Sequence, residues 1–258
     1  MSFFNVISNI FRLRFRCIKT LWFNLKIFDF KDAIKLPVFL FGNVEFEDLH
    51  RGCIKLERKA AGTVRIGGGV YTSLFGHSQL YKTYMSVKGS ICFGSGVILD
   101  QGCILSVSKG AEIIFGSNIY VNRCTKIHAK ESIRIGDNCR IGWNCQIFDT
   151  NFHYSIINGR INNKNSAVVL EHNVWLANGV TVGKGVKLPP FSVVASNSLV
   201  NKDYCDKGEG WLFGGVPAKP IISCIKRILD KEKVLDSYFE DGKDFVMYDE
   251  VKSVLGGQ

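Results

Sequence analysis

No stretch of this sequence is long and uncharged enough to cross a bilayer, since charge interrupts each apolar run before the roughly 20 residues a spanning helix needs. No small-residue cleavage site follows a clean apolar core, so no secretory leader is expected. The nine cysteines include no Cys-x-x-Cys pair, which removes the usual zinc-ligand spacing and gives no disulfide framework. Reduced thiols and a cytoplasmic chain are therefore expected. Histidine is scarce as well: there are five, no two of them five residues apart, and none lies in a cluster at ligand spacing, so no metal is expected. Acidic residues are the minority, 23 against 33 Lys and Arg, for a net charge of +10. The excess sits in the first sixty residues and the tail rather than in a nucleic-acid-binding motif, and nucleic acid is not expected as a partner. An acidic substrate carrier, a phosphorylated cofactor or a lipid surface suits that charge equally well.

What the sequence does have is a pulse of six. Leu170, Leu176, Val182, Leu188, Val194 and Val200 stand six apart without a gap. Four residues after each of the first five comes a second series, Val174, Val180, Val186, Ser192 and Ser198, while Ala177, Gly183, Pro189 and Ala195 fill most of the positions one residue after. A helix would space its apolar residues by three and four, and the Gly and Pro here would break it. A six-residue period instead signals a parallel β-helix, in which each unit supplies one short strand and one turn and three units close a triangular coil. Equivalent aliphatics then stack about 4.8 Å apart. Cys139 and Cys145 occupy small positions of their hexads and read as coil filling.

The same register recurs upstream in Ile135, Ile141 and Ile147, in Phe115, Val121 and Ile127, and in Phe93, Leu99 and Leu105. The phase slips by four residues between Leu105 and Phe115 and by two between Ile127 and Ile135, as lengthened corners would produce. The largest slip, between Ile147 and Leu170, brackets Asp149-Thr150-Asn151-Phe152-His153 and the polar stretch Asn158 to Ser166. An insertion of that length must project from the prism, and long loops in compact folds are usually functional or disordered. The expected organisation is all-β: an N-terminal segment over 1–42, the β-helix over 43–210 with an inserted loop at 149–168, and a closing segment with a short helical tail over 211–258. In the N-terminal segment Phe3, Phe4, Phe11, Phe15, Trp22, Phe23, Phe28 and Phe30 alternate with Arg12, Arg14, Arg16, Lys19 and Lys26. Such a basic, aromatic, amphipathic stretch suits the open end of the β-helix and also, through residues 1–30, the surface of an anionic membrane.

Among the histidines, His50 and His77 precede the clear repeat and read as surface or loop residues, and His128 and His172 read as structural corner residues. His153 differs. It falls six residues after Ile147, where the next stacked aliphatic belongs, and the chain leaves the repeat there, with Asp149 four residues before it. A histidine buried in an aliphatic column would need a hydrogen-bond partner; one at the lip of a projecting loop is a candidate acid or base.

Three segments carry a resemblance: Ile141-Gly142-Trp143-Asn144-Cys145-Gln146-Ile147-Phe148-Asp149-Thr150-Asn151-Phe152-His153, Asn173-Val174-Trp175-Leu176-Ala177-Asn178-Gly179-Val180, and Gly214-Gly215-Val216-Pro217-Ala218-Lys219. Together they resemble the bacterial hexapeptide-repeat O-acetyltransferases, in particular those of capsular and exopolysaccharide gene clusters of the colanic acid type. The resemblance implies a left-handed β-helix, a homotrimer with active sites between subunits, and acetyl-CoA in the groove between two prisms. It implies His153 as catalytic base, Asn122 and Asn144 toward the acceptor, and Trp175, Ala177, Asn178, Ala195, Ser196, Asn201, Lys202 and Lys219 along the cofactor channel. The chain departs from the family pattern at Asn151, where Asp is frequent, at Ala177, where Gly is usual, and at Ser196, where a small apolar residue is common.

The chemistry agrees with that assignment. A sugar hydroxyl is a weak nucleophile near neutral pH, and imidazole has a suitable pKa to take its proton during attack on a thioester. Asp149 or a backbone carbonyl would fix the imidazole tautomer. No Ser or Cys stands in a convincing nucleophile setting, so direct transfer in a ternary complex is expected. Three other readings stay open at this point: an acyl carrier protein as donor, a non-catalytic β-helix scaffold, and a zinc-dependent lyase resembling the γ-class carbonic anhydrases, although that pattern wants two histidines five apart. The expected site of action is the cytoplasm, at most peripheral to the inner face of the cell membrane.

Overall fold

A computed structural model of the chain describes residues 15–68, 81–228, 235–236, 238–239 and 246–255. His77 and the aromatics and arginines before Phe15 lie outside the described residues. The chain divides into two compact units, Met1–Ile225 and Lys226–Gln258. In the second, the described residues include the helix Tyr248–Leu255, which is the helix expected in the tail.

The first unit is a three-faced parallel coil. The first face holds nine strands, the second seven and the third six. Strands of two to six residues suffice because each needs only one or two inward side chains, and the inward positions are the sequence's six-residue columns. On the first face Leu40, Ile66, Leu99, Val121, Ile141, Leu176, Val194 and Phe213 pair in register from coil to coil. Met85, Leu105, Ile127, Ile147, Val182 and Val200 do so on the second. The third carries Leu56, Phe93, Phe115, Ile135, Leu170 and Leu188, with Phe93 and Phe115 stacked at 5.1 Å. Apart from Leu56 these residues are buried in one continuous core, each side chain contributing about 1.5–3 kcal/mol. Cys139 and Cys145 are buried within the coil as their hexad positions anticipate, and all nine cysteines are free thiols.

Two edges of the prism turn in a fixed way from Phe93 onward. Between the first and second faces Gly102, Cys124, Asn144, Gly179 and Asn197 each take a left-handed backbone conformation; between the third and first faces Gly96, Asn118, Asn138, Asn173 and Phe191 do the same. Asn tolerates that region because its short side chain bonds locally, and here Asn118 donates through its side-chain amide to Asn138 Oδ1 at 2.8 Å, tying successive coils. Each corner amide also donates to the coil before it, as Asn144 N does to Arg123 O at 2.9 Å. The third edge has no such rule. It absorbs the slips before Phe115 and Ile135 and the whole excursion between Phe148 and Val168.

At the N-terminal end the helix Cys17–Ile27 covers the first strand, Val38–Leu40. Its buried Thr20 and Asn24 meet the backbone there: Leu40 N donates to Thr20 Oγ1 (3.1 Å), Val38 N to Asn24 Oδ1 (3.1 Å), and Asn24 Nδ2 to Val38 O (2.8 Å). At the other end the strand Ala218–Ile222 runs antiparallel to Leu212–Gly215.

Candidate active site

The residues proposed for the site gather on two edges. Along the edge between the first and second faces, successive coils place Asn122-Arg123-Cys124, Gly142-Trp143-Asn144, Ala177-Asn178-Gly179 and Ala195-Ser196-Asn197 one above another. Asn122 N donates to Ile141 O, Gly142 N to Leu176 O, Ala177 N to Val194 O and Ala195 N to Phe213 O, at 2.8–2.9 Å. The strand pairing sets Gly214 opposite Lys219, so the hairpin that carries Lys219 continues this edge. Close approach is why Gly142 is glycine: a Cβ there would sit 2.7 Å from the backbone of Ala177 and 2.8 Å from Asn178 Oδ1. Trp175 lies on the first face between Arg140 and Val193 and is half exposed. Ser196 and Lys219 face solvent.

The second group lies across the second face, on the variable edge. Asp149 follows the strand Gln146–Phe148 and is fully buried, and both of its carboxylate oxygens accept backbone amides, Oδ1 from Lys130 and Oδ2 from Glu131, each at 2.8 Å. Its carbonyl accepts from Ser166 N at 2.9 Å, so one residue clamps both the start and the return of the insertion. Four residues on, His153 is exposed at the base of an antiparallel hairpin, Ser155–Ile157 with Arg160–Asn162. The structure thus sets Asp149 on backbone amides rather than on the His153 ring. Asn201 and Lys202 follow Leu199–Val200 and lie on the same edge one coil beyond Lys184, both exposed. The hairpin shows Phe152, Tyr154, Ile156, Ile157 and Ile161 to solvent.

Of the other histidines, His128 packs against the root of the insertion, stacked on Phe152 at 5.4 Å, with Phe148 edge-on to Phe152 at 5.9 Å. Its Nε2 is buried with no hydrogen-bond partner among the described residues. Burial, with Lys130 adding to it against the opposing pull of Asp149, holds the imidazole below its ordinary 6.5. Three thiols lie on the first edge, and burial is the leading cause in each: Cys145 is pushed up to about 11, and Cys103 and Cys124 are also raised. They are protonated near neutrality and weak as nucleophiles. Residues that the hexad pattern did not point to complete the first edge: Tyr81, Arg123 and Trp143 line a cavity of about 190 Å³ with Cys124 and Asn144. Arg123 and Trp143 follow their first-face column residues, Val121 and Ile141, at the same spacing, which is the signal that would have found them. Among the described residues no group of three or more His, Cys, Asp or Glu side chains is placed to hold a metal ion, and no helix is long and apolar enough to cross a membrane.

No family model matches the chain. Individual proteins do. WbbJ of Escherichia coli, named for O-acetyl transfer in lipopolysaccharide biosynthesis, is 30% identical over 151 residues, which is 55% of this chain and 76% of the relative. A galactoside O-acetyltransferase of Lactococcus lactis is 31% identical over 178 residues, 68% of this chain and 73% of its own length. The crystal structure of the polysialic acid O-acetyltransferase OatWY superposes with a TM-score of 0.52 at 20% identity, over 83% of this chain and 95% of that one, a likeness of fold alone. With a six-residue repeat closed into an all-β, left-handed parallel coil and relatives covered over about three quarters of their length, the chain belongs to the hexapeptide-repeat O-acetyltransferases.

Proposed function

We propose that this acyltransferase moves an acetyl group from acetyl-CoA to a sugar hydroxyl in surface polysaccharide biosynthesis, with His153 as general base. The observation that carries the reading is the stacked edge: Asn122, Asn144, Ala177, Asn178, Ala195 and Ser196, singled out from the resemblance, fall on successive coils of one prism edge that ends at Lys219. A ladder of small side chains and turn amides makes a groove long enough for an extended pantetheine arm. Trp175 would wall the groove, and Lys202 and Lys219 would meet its phosphates as point charges. In the reaction His153 takes the proton from the acceptor hydroxyl as its oxygen attacks the thioester carbonyl. Turn amides around Asn178 hold the developing oxyanion. Collapse of the tetrahedral species breaks the carbon–sulfur bond, and the imidazolium returns its proton to the departing thiolate. The protonated state of Cys103, Cys124 and Cys145 favours this direct route over an acyl-enzyme on those thiols.

His153 and the stacked ladder lie on different edges, with the outward side of the second face between them. This supports a cyclic homotrimer in which one protomer's insertion edge meets its neighbour's ladder, and the exposed apolar hairpin gives that contact a surface. The helix Cys17–Ile27 supports a second contact, with an anionic membrane: opposite its buried Thr20, Phe23, Asn24 and Ile27 it exposes Ile18, Leu21, Trp22 and Leu25, flanked by Arg16, Lys19 and Lys26.

The test of function is transfer itself. Incubated with labelled acetyl-CoA and a panel of glycans, the protein is expected to release CoA only when a sugar acceptor is present, and mass spectrometry should find the label as an ester on that sugar. CoA release indifferent to acceptor, or transfer only from acyl carrier protein, would overturn the donor or the acceptor. Binding to anionic vesicles that weakens with salt, and its absence with neutral ones, tests the membrane contact.

A further inference from the structure

The residue before the proposed base sits in an unusual turn. Phe152 has a φ of +63°, in the left-handed region that a bulky side chain seldom enters. His153 N donates to Asn151 O at 2.7 Å across it, and a three-residue turn closed at positive φ is the rare, strained form. Strained residues persist where their surroundings hold them, and they gather at functional sites. Here the holding contacts are specific. Phe152 N donates to the Oγ1 of buried Thr150 at 2.9 Å, and Asn151 N donates to Lys164 O at 2.8 Å on the returning limb of the insertion. The half-exposed Phe152 ring lies back on the outer side of the second face, where His128 and Phe148 stand side by side in register. It stacks on His128 with ring centres 5.4 Å apart and 26° between the planes, and it meets Phe148 edge-on at 5.9 Å.

We propose that His128 is a positioning residue for the acetyl transfer: with Phe148 it forms a seat for the Phe152 ring, and the seated ring keeps the strained turn that aims His153. The proposal rests on the reading of His153 as the base. Aromatic pairs in stacked and edge-on geometry gain attraction beyond their burial, and two such pairs converge on the one ring whose backbone conformation is unfavourable. If the seat is removed, the turn can relax, and a rotation at Phe152 moves His153 before any other residue. Because the seat belongs to paired strands, it refers the direction of an exposed histidine to the body of the coil rather than to the loop. The seat also responds to charge. A protonated imidazole donates from both nitrogens, and His128 Nε2 is buried with no partner among the described residues, so the charged ring favours an open seat. Lys130 opposes that charge and Asp149 favours it. Lys126 stands two residues before His128 on the same side of its strand, Ser106 and Phe148 flank it without charge on the adjoining strands, and His153 is the titratable group next to Phe152 on the insertion.

The experiment follows the imidazole NMR signals of the full chain carrying isotope-labelled histidine, without substrate, with the signals assigned by single substitutions. As pH falls, the native His153 signal should move where His128 titrates as well as where His153 does. His128→Ala and Phe152→Ala should each displace the His153 signal at neutral pH and increase the fast motion of its ring, while the amide signals from Asn122 to Asn197 on the ladder edge stay in place. His128→Phe keeps a flat ring without a titration; it should restore the His153 signal and erase the extra inflection. With the acceptor found in the glycan panel at saturation, His128→Ala should lower kcat about 10–10²-fold, as displacement of a reacting group by up to about 1 Å does. The KM for acetyl-CoA should hold, and His128→Phe should recover most of the lost kcat. A His153 signal identical in the native and His128→Ala proteins overturns the proposal without any turnover measurement. So does a kcat loss in His128→Ala that a folded His128→Phe protein fails to recover. If the signals respond as expected but no sugar is acetylated, the transfer reading fails and the seat for His153 stands.

Discussion

From Leu99 to Val200 the edge between the first and second faces turns five times in the same six-residue pitch, whereas the edge between the second and third faces takes up two slips and then an entire hairpin. Both border the same seven-stranded face. The difference lies in what each corner must satisfy. On the regular edge each turn amide is committed to the coil before it and each small residue to the backbone of the next, so length cannot vary. On the variable edge Asp149 gathers the loose ends through two carboxylate bonds and one carbonyl, and the chain beyond it is free to leave. Regularity stacks one edge into a ladder of turns, and release from regularity lets the other edge project a hairpin.

The sharpest break between the edges should come from His153→Ala. Turnover is expected to fall by about 10²–10⁴, the usual worth of a general base, while the thermal midpoint and assembly state stay as they were. Near-normal turnover would remove the catalytic role from the variable edge. Mixing His153→Ala with Ser196→Trp, each inactive alone, should return part of the activity if the two edges meet between subunits; no recovery in demonstrably mixed trimers would place the site within one chain.

Stability should divide the opposite way. Gly142→Ala forces a Cβ into the Ala177 backbone and should cost about 1–3 kcal/mol, read as a lower denaturation midpoint. Ile156→Ser on the exposed hairpin should stay within about 0.5 kcal/mol for the isolated subunit. Equal costs would mean that the edges are equally constrained. Asp149→Asn, which loses one acceptor for a backbone amide, is expected to cost about 1 kcal/mol and to loosen the insertion, seen as faster amide exchange across residues 150–166.

The smallest effect is set by pH. His128 is held below its ordinary 6.5, chiefly by burial, so the unfolded chain takes up its proton first as pH falls. The stability tied to neutral His128 is complete above about 6.5, declines below it, and is lost once pH passes the depressed folded value. Thermal midpoints measured from pH 7.5 to 5 should show this decline, and His128→Gln should flatten it. An unchanged slope in the variant would assign the acid sensitivity elsewhere.

The stacked columns were legible in the sequence because one inward aliphatic per strand is all a coil needs, and from Phe93 to Val200 the spacing carries that signal directly. The earlier coils were not. Leu40, Phe46, Leu56, Ile66 and Met85 occupy the same columns, but gaps of unequal length separate them, and a period broken at several corners in succession cannot be seen by counting. The insertion after Ile147 was legible as a departure, and its chemistry only in part. Spacing along the chain suggested that Asp149 serves His153, but a carboxylate four residues away in an extended loop is directed by local backbone geometry, and the nearest unsatisfied donors were the amides of Lys130 and Glu131 in the preceding coil. Arg123 follows its column residue at the hexad spacing, but its neighbour Tyr81, whose ring centre is 5.7 Å from the guanidinium carbon, comes from another coil and gives no local signal.

A stack of identical parallel coils has no inherent length, because each added layer presents the same row of donors and acceptors that it has just consumed. This molecule is finite because its two outermost layers do not resemble a further layer. At one end Thr20 and Asn24 meet the first strand with side chains where an incoming strand would use its backbone; at the other, Ala218–Ile222 runs backward and ends the translational repeat. Without either terminus the stack would expose a template that fits the opposite end of another copy, and the prism would become the monomer of a fibre.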